Sequence, residues 1–330
     1  MRSVTTWFVN LELIVTNKEK YRQLCEREPT IPIFSQAWWL DSVAGDDWDV
    51  CLVEKDGEIH ASMPYVIKKR YALTLLKQPR LTQNLGPWIK PSKAKYSKQL
   101  SQQKDLMDAL IDQLPKYHYF SQNWHYSQTN WLPFYWRDFE QTTRYTYVIE
   151  DLSDLDKVFG EFEHSKRKNI KKSEALVNVV FDISAEDFYN NHKLTLSKQG
   201  SNISYSFDLF KKIYEEGYKN GQATTIGAYD FEGNLHAALF VIWDKMSAYD
   251  LISTIDPDYR ASGAASVLIR DAIKYVSKFV NKFDFEGSMI EPVERSFRQF
   301  GAKQVPYFSI THKSSRLMDA ALFFKKVVKK

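Results

Sequence analysis

Tyr249-Asp-Leu-Ile-Ser-Thr-Ile-Asp-Pro-Asp-Tyr-Arg-Ala-Ser-Gly-Ala-Ala-Ser-Val-Leu-Ile-Arg270 reads as a strand, a short loop and the opening turns of a helix. β-Prone residues run to Ile255, Pro257 ends the strand, and small residues cluster at Arg260-Ala261-Ser262-Gly263-Ala264-Ala265. A helix start carries N–H groups with no carbonyl ahead of them, and its dipole favours an anion. Gly263 and Ala265 would let a pyrophosphate approach the backbone, so Arg260 to Ala265 are the candidate cofactor-binding residues. The same small residues also suit a tightly packed helix start.

Upstream lies an internal repeat. Residues 57–66 read Gly-Glu-Ile-His-Ala-Ser-Met-Pro-Tyr-Val, and residues 233–242 read Gly-Asn-Leu-His-Ala-Ala-Leu-Phe-Val-Ile. Asp56-Gly57 and Glu232-Gly233 are turn dipeptides between β-prone runs, so each copy predicts a hairpin. An aromatic-rich helical segment precedes each, Phe34 to Val43 and Phe207 to Gly217. The repeat predicts a duplicated fold with a join near residue 150. Domain one would span 1–150 and domain two 151–330. Strand-like sequence at Trp131–Trp136 and Thr142–Ile149 closes the first. No Gly/Ser/Pro-rich linker intervenes, so the domains are expected to pack closely.

The second half reads helix 154–175, strand 177–183, helices 185–199 and 206–219, and strands 223–229, 235–243 and 247–254. Helix 263–279, strand 282–286, helix 291–300 and strand 303–311 follow. Mixed strands and helices with hairpins and a crossover indicate an α/β (α+β, mixed-sheet) class. The 330 residues carry 45 basic and 41 acidic side chains, a net charge of +4 too mild to mark a nucleic-acid protein by itself. Two cysteines exclude a disulfide scaffold and a cysteine-based zinc site. Seven histidines are scattered with no metal spacing, and no metal is expected.

The Arg260 loop resembles the Arg/Gln-x-x-Gly-x-Gly/Ala loop of GNAT acyltransferases, which cradles coenzyme A pyrophosphate. Phe297-Arg-Gln-Phe-Gly-Ala302 is similar to the segment that follows in that fold, with Ala302 in place of an aromatic residue. His164-Ser-Lys-Arg-Lys-Asn-Ile-Lys-Lys-Ser-Glu-Ala175 resembles a basic helix of Fem-type aminoacyltransferases, peptidoglycan cross-bridge enzymes built from two GNAT-like domains. Asp284-Phe-Glu-Gly287 and the residues after it also look like their C-terminal domain. The resemblance implies two tandem GNAT-like domains, the second holding the acyl donor and the first binding acceptor without a donor loop. It implies acyl transfer to an amine, with acyl-CoA as donor and the amine of a phosphorylated cell-envelope precursor, nucleotide-sugar or lipid-linked, as acceptor. Two alternatives stand beside it. One is Fem-type transfer from aminoacyl-tRNA to a peptidoglycan precursor. The other is a non-catalytic protein of this fold that holds an anionic glycan or nucleic acid.

Such chemistry requires an oriented donor, a deprotonated amine and a stabilised oxyanion. Backbone N–H groups near Ile252–Thr254 are the family-type oxyanion donors. Asp284 and Glu286 sit two apart on a strand and share a face; Glu286 is the first candidate base, with Asp284 in support. Tyr307 and Ser253 are candidate proton donors to the leaving group. Lys166, Arg167, Lys168, Lys171 and Lys172 form an acid-free helical window, a solvated face or an anion-binding edge. Between Glu58 and Asp105 there is no acid but ten Lys/Arg, including Lys68, Lys69, Arg70 and Arg80. That stretch suits a diphosphate or a nucleic-acid backbone. Substrate contacts are assigned to Lys68, Lys69, Arg70, Arg80, Lys166 and Arg167. Asn10 and Glu12 interrupt the apolar N-terminus, so no signal peptide is read and a cytoplasmic protein is expected. The cationic segment Leu317–Lys330 would complement a helix dipole or touch an anionic inner membrane face weakly. No obligate protein partner is inferred.

Overall fold

The computed structural model describes residues 15–287 and 289–314. The segment 317–330 and the N-terminal stretch up to residue 14 lie outside the described residues. The first half runs α1 (Asn17–Arg27), α2 (Ala37–Ala44), β1 (Trp48–Lys55), β2 (Glu58–Arg70), β3 (Leu73–Lys77), β4 (Trp88–Ile89), α3 (Tyr96–Asp112), β5 (Tyr119–Asn123), α4 (Leu132–Tyr135) and β6 (Glu140–Ile149). The second runs α5 (Leu155–Gly160), α6 (His164–Ser173), β7 (Asn178–Phe181), α7 (Ala185–Lys198), α8 (Phe207–Lys219), β8 (Ala223–Tyr229), β9 (Leu235–Trp243) and β10 (Ala248–Ile255). It ends with α9 (Ala264–Val276), β11 (Phe283–Asp284), α10 (Glu291–Arg298) and β12 (Lys303–Lys313).

Local chemistry accounts for many of these boundaries. Asp154 Oδ1 accepts from Lys157 N at 3.0 Å, Ser184 Oγ from Asp187 N at 3.0 Å and Ser206 Oγ from Leu209 N at 3.3 Å. Each bond satisfies one orphan donor of a helix start. Asp56 and Gly57 turn the β1–β2 hairpin, both at positive φ (53° and 77°), as a tight turn between right-twisted strands requires.

Three elements differ from expectation. The strand expected over 282–286 is only Phe283–Asp284, and Glu286 lies past its end at positive φ (58°), so Asp284 and Glu286 do not share a strand face. The helix anticipated over 154–175 is broken between α5 and α6. Phe162 drives into the core there, edge-on to Phe300 at 5.1 Å, and Glu163 N donates to Gln299 O at 2.9 Å. The core contact at the break outweighs helix continuity. Trp131–Trp136 is a helical turn and not a strand: Pro133 sits at the helix start, where its missing N–H costs nothing, and Asn130 Oδ1 accepts from Leu132 N at 3.2 Å.

The strands form one sheet in the order β1-β2-β3-β5-β12-β6-β11-β10-β9-β8-β7, with β4 paired to β2. Each half repeats one plan. Antiparallel β1-β2-β3 crosses over through α3 to β5, parallel to β3. Antiparallel β8-β9-β10 crosses over through α9 to β11, parallel to β10. The halves then exchange their last strands. β6 lies against β11 of the second half, and β12 lies against β5 of the first. One core face also draws on both halves: Phe34 and Trp39 pack with Phe210, Phe240 and Tyr249.

Candidate active site

Strands β10 and β11 pair only at Ala248↔Phe283 and Tyr249↔Asp284. Beyond that point β10 continues to Ile255, with a bulge between Asp250 and Ile252 against β9. The other chain turns away. Phe285 N donates to Tyr147 O at 2.9 Å, and Glu286 and Gly287 both take positive φ. A cavity of about 560 Å³ lies against this part of β10, lined by Asp250, Ser253 and Thr254. Arg260, Gly263 and Ala265 of the loop, Ser266 of α9 and Phe297 of α10 also line it.

The loop is fixed from two sides. Lys198 of α7 pairs with Asp256 at 2.8 Å and Asp258 at 2.6 Å. Gly263 sits at φ +79°, and a Cβ there would lie 2.8 Å from Asn169 O of α6. This glycine is therefore demanded by helix packing as well as by backbone conformation. α6 also supplies Lys166, whose Nζ lies 2.8 Å from Ser296 Oγ and 4.3 Å from the Phe300 ring centroid. Burial pushes this amine down to about 8. Lys172 Nζ donates to Ala261 O at 2.6 Å. The loop and the basic helix, read from sequence as pointing to different donors, are one surface. Arg167 faces elsewhere and donates to the carbonyls of Gly160 and Phe162.

Three buried carboxyls gather where β10 and β11 part. Asp284 Oδ1 accepts from Glu286 N at 2.8 Å and from the Thr146 hydroxyl. Burial lifts Asp284 to about 7 against those bonds. Glu286 lies well above the carboxylate range because it is buried beside the charges of Asp284 and Asp250, and its Oε1 has no partner among the described residues. Asp250 accepts from Ser253 Oγ at 2.6 and 2.7 Å, and burial raises it to about 7. Asp284, Glu286 and Tyr307 line a second cavity of only about 10 Å³, walled also by Asn84, Trp124, Tyr126 and Tyr249. Of the sequence-derived candidates, Ser253, Lys166 and the Arg260 loop thus share the larger cavity, and Tyr307, Asp284 and Glu286 share the smaller.

Asp250 is the residue that sequence reasoning passed over. Its signal was a lone carboxylate inside a β-run with apolar neighbours, which is costly unless it has a task. Among the described residues, no group of acids, histidines or cysteines is arranged to hold a metal ion.

A third cavity of about 860 Å³ lies between the halves. Trp88, Lys90 and Lys93 line it from one side and Asp244, Ser247, Tyr249 and Lys282 from the other. Lys90 and Lys93 come from the acid-free stretch. Lys68, Lys69 and Arg70, at the end of β2, and Arg80 are exposed and do not line it.

No protein-family model and no curated protein matches this chain. Solved structures do match its fold. FemX aligns with a TM-score of 0.66 at 12% identity, over 88% of this chain and 95% of that one. The C-terminal domain of a putative lysylphosphatidylglycerol synthetase from Agrobacterium fabrum gives 0.55 at 11% identity, over 94% and 95%. A tandem GNAT protein from the clavulanic acid biosynthesis pathway gives 0.50 at 9%, over 90% and 94%. The chain has the tandem GNAT fold in a Fem-like arrangement. Among the described residues no helix is long and apolar enough to cross a membrane.

Proposed function

We propose that this protein is an N-acyltransferase that moves an acyl group from acyl-CoA to the amine of a phosphorylated cell-envelope precursor. The observation that carries the proposal is the meeting of an anion-binding helix start and a buried acid in one cavity: Arg260–Ala265 and the first turn of α9 open onto the same hollow as Asp250 and Ser253. In this reading the donor pyrophosphate lies against α9, with Arg260 and Lys166 adding positive charge. Its acyl end extends along β10, where the bulge interrupts the ladder and frees backbone N–H groups for an oxyanion. Asp250 is the first receiver of the amine proton, with Asp284 and Glu286 behind it, and Ser253 protonates the leaving thiolate. The lysine-lined cavity between the halves receives the acceptor. A relative in fold is named a putative lysylphosphatidylglycerol synthetase, which is consistent with a lipid-linked acceptor.

Aminoacyl-tRNA is the second reading of the donor. It is favoured by the packing of α6 on the loop, with Lys168, Lys171 and Lys172 exposed beside the cavity mouth.

The test is calorimetric titration with acetyl-CoA of the wild type and of Ala265→Asp. An acid in the first turn suits the helix dipole, so the variant should fold. Gly263 is unsuitable because any side chain there would strike Asn169. A charge about 4 Å from a phosphate at an effective dielectric of about 20 costs about 4 kcal/mol, and about 1.4 kcal/mol is tenfold in affinity. Binding by the wild type that weakens at least about tenfold in the variant supports an acyl-CoA site. If neither binds, the acetyl-CoA reading falls. Transfer of a labelled aminoacyl group from tRNA to an amine acceptor then separates the second reading from a purely binding role.

A further inference from the structure

The small cavity shares Tyr126 and Tyr249 with the cavity between the halves and is too tight for substrate, yet its walls carry unsatisfied polar groups. Among the described residues Trp124 Nε1 is a donor without an acceptor, and Asn84 Oδ1 and Glu286 Oε1 are acceptors without donors. All three residues are more than nine-tenths buried, at 0%, 8% and 7% exposure. Buried polar atoms left unpaired cost about 1–3 kcal/mol each. A space of about 10 Å³ matches the lower limit for one water, which needs two to four polar partners. Tyr249 lines both this cell and the cavity between the halves. Its hydroxyl donates to Asp244 Oδ2 at 3.0 Å, and Asp244 lines the cavity between the halves.

We infer that this cell holds one water and is a proton exit, running from Asp250, Asp284 and Glu286 through that water and the Tyr249 hydroxyl to Asp244. The route rests on the transferase reading; the hydrated cell does not. Its place in the reaction follows from proton balance. An acceptor amine arrives as R–NH3+. The overall change, R–NH3+ plus acyl thioester giving amide plus thiol, leaves one proton over. The N–H bond breaks before attack and its proton passes to the carboxyl cluster. The C–N bond then forms, the C–S bond breaks, and a second amine proton reaches sulfur through Asp250 and Ser253. The first proton must be discharged for the base to act again. The titratable and charged groups around Glu286 are Asp284 of β11, Asp250 and Tyr249 of β10, Tyr307 of β12 beside Arg144 of β6, and Tyr126. Asp244 stands next along the route. Burial favours the protonated forms of Asp250, Asp284 and Glu286, which suits a cluster that passes protons on.

The experiment compares two probe amines on the full chain with acetyl-CoA at pH 7. O-Phosphoethanolamine is an ammonium at that pH and needs the exit; 2,2,2-trifluoroethylamine is unprotonated there and does not. Tyr249→Phe removes the hydroxyl and keeps the ring. It should slow acetylation of O-phosphoethanolamine about tenfold or more relative to that of 2,2,2-trifluoroethylamine, leave the acetyl-CoA affinity near wild type, and lose this difference as pH rises. Equal slowing of both probes, or of neither, overturns the exit while transfer itself stands. If the wild type acetylates neither probe, the transferase reading and the route fall together. The cell is then judged separately by NMR cross-relaxation between water and the Trp124 indole N–H. A contact abolished by Asn84→Leu upholds the hydrated cell, and no contact in the wild type overturns it.

Discussion

Replacing Asp250 with Asn should stabilise the protein at neutral and alkaline pH and leave it nearly unchanged at pH 4. Asp250 is 5% exposed, and its side chain is bonded to the Ser253 hydroxyl, with no cation paired to it among the described residues. Burial raises it from 3.8 to about 7. A carboxyl raised in the folded state costs stability as pH climbs through the window between those values, because the unfolded chain ionises first. At about 1.36 kcal/mol per pH unit, the full cost above pH 7 is about 4 kcal/mol. Water reaching the cavity reduces it, so a gain of about 2–4 kcal/mol at pH 8 is expected. Asn keeps the shape, and its Oδ1 can still accept from Ser253. For 330 residues the unfolding entropy is about 0.7 kcal/mol/K, which converts the gain to a rise in Tm of about 3–6 °C. Thermal unfolding followed by circular dichroism at pH 4, 6 and 8 reads it directly. A variant no more stable than wild type at pH 8 would refute the claim that Asp250 is held charged at a cost, and with it the reason for calling it a proton acceptor. Under the proposed function the same variant loses transfer activity, so stability and activity should move in opposite directions.

Two further outcomes follow from the site. Gly287 at φ +59° would carry a Cβ 2.1 Å from Tyr145 O, a backbone atom that cannot step aside. Gly287→Ala should therefore lose at least about 2 kcal/mol in urea unfolding, whereas Gly45→Ala, with open space around it, should lose less. Lys166 carries an amine pushed down to about 8 and lines the cavity proposed to hold the donor. Its charge is full below pH 8 and fades above it, so acetyl-CoA affinity should fall between pH 7 and 9 in the wild type and stay flat in Lys166→Met; a flat wild-type curve by calorimetry would remove Lys166 from the phosphate site.

The fold was legible because its evidence is local. Hairpin turns at Asp56-Gly57 and near Gly233, capping residues such as Ser184 and Ser206, and the strand–loop–helix of 249–270 announce themselves within a few residues. The breaks were not. Nothing near Phe162 says that it will bury itself against Phe300 from the far end of the second half, so a continuous helix was the natural expectation. The same limit applies to the site. Asp284 and Glu286 stood out by their spacing and by a family resemblance. Asp250 has no partner in sequence: it lies 34 residues from Asp284, and only the parallel pairing of β10 with β11 brings the two together. Basic residues were the least legible. Lys68, Lys90 and Lys93 belong to one acid-free run, yet β2 carries Lys68 to the surface while the chain after β4 carries the other two into a cavity.

The exchange of final strands explains why the acids lie where they do. Thr146, which bonds Asp284, is on β6 of the first half, and Tyr307 is on β12 of the second. β6 sits between β11 and β12, and Gln83 of the first half donates to Glu286 O. The walls of the acid cell are therefore built from both halves, and neither half closes it alone. A duplicated fold whose copies merely touched would place the donor cavity and the lysine-lined cavity on separate bodies. Here the second half's β10 runs past both: Tyr249 is at the edge of one, Asp250 in the other, a single residue apart. Adjacent strand residues point to opposite faces of a sheet, so β10 sets Tyr249 at one cavity and Asp250 at the other. Under the proposed function, this one strand of the second half would contact both substrates.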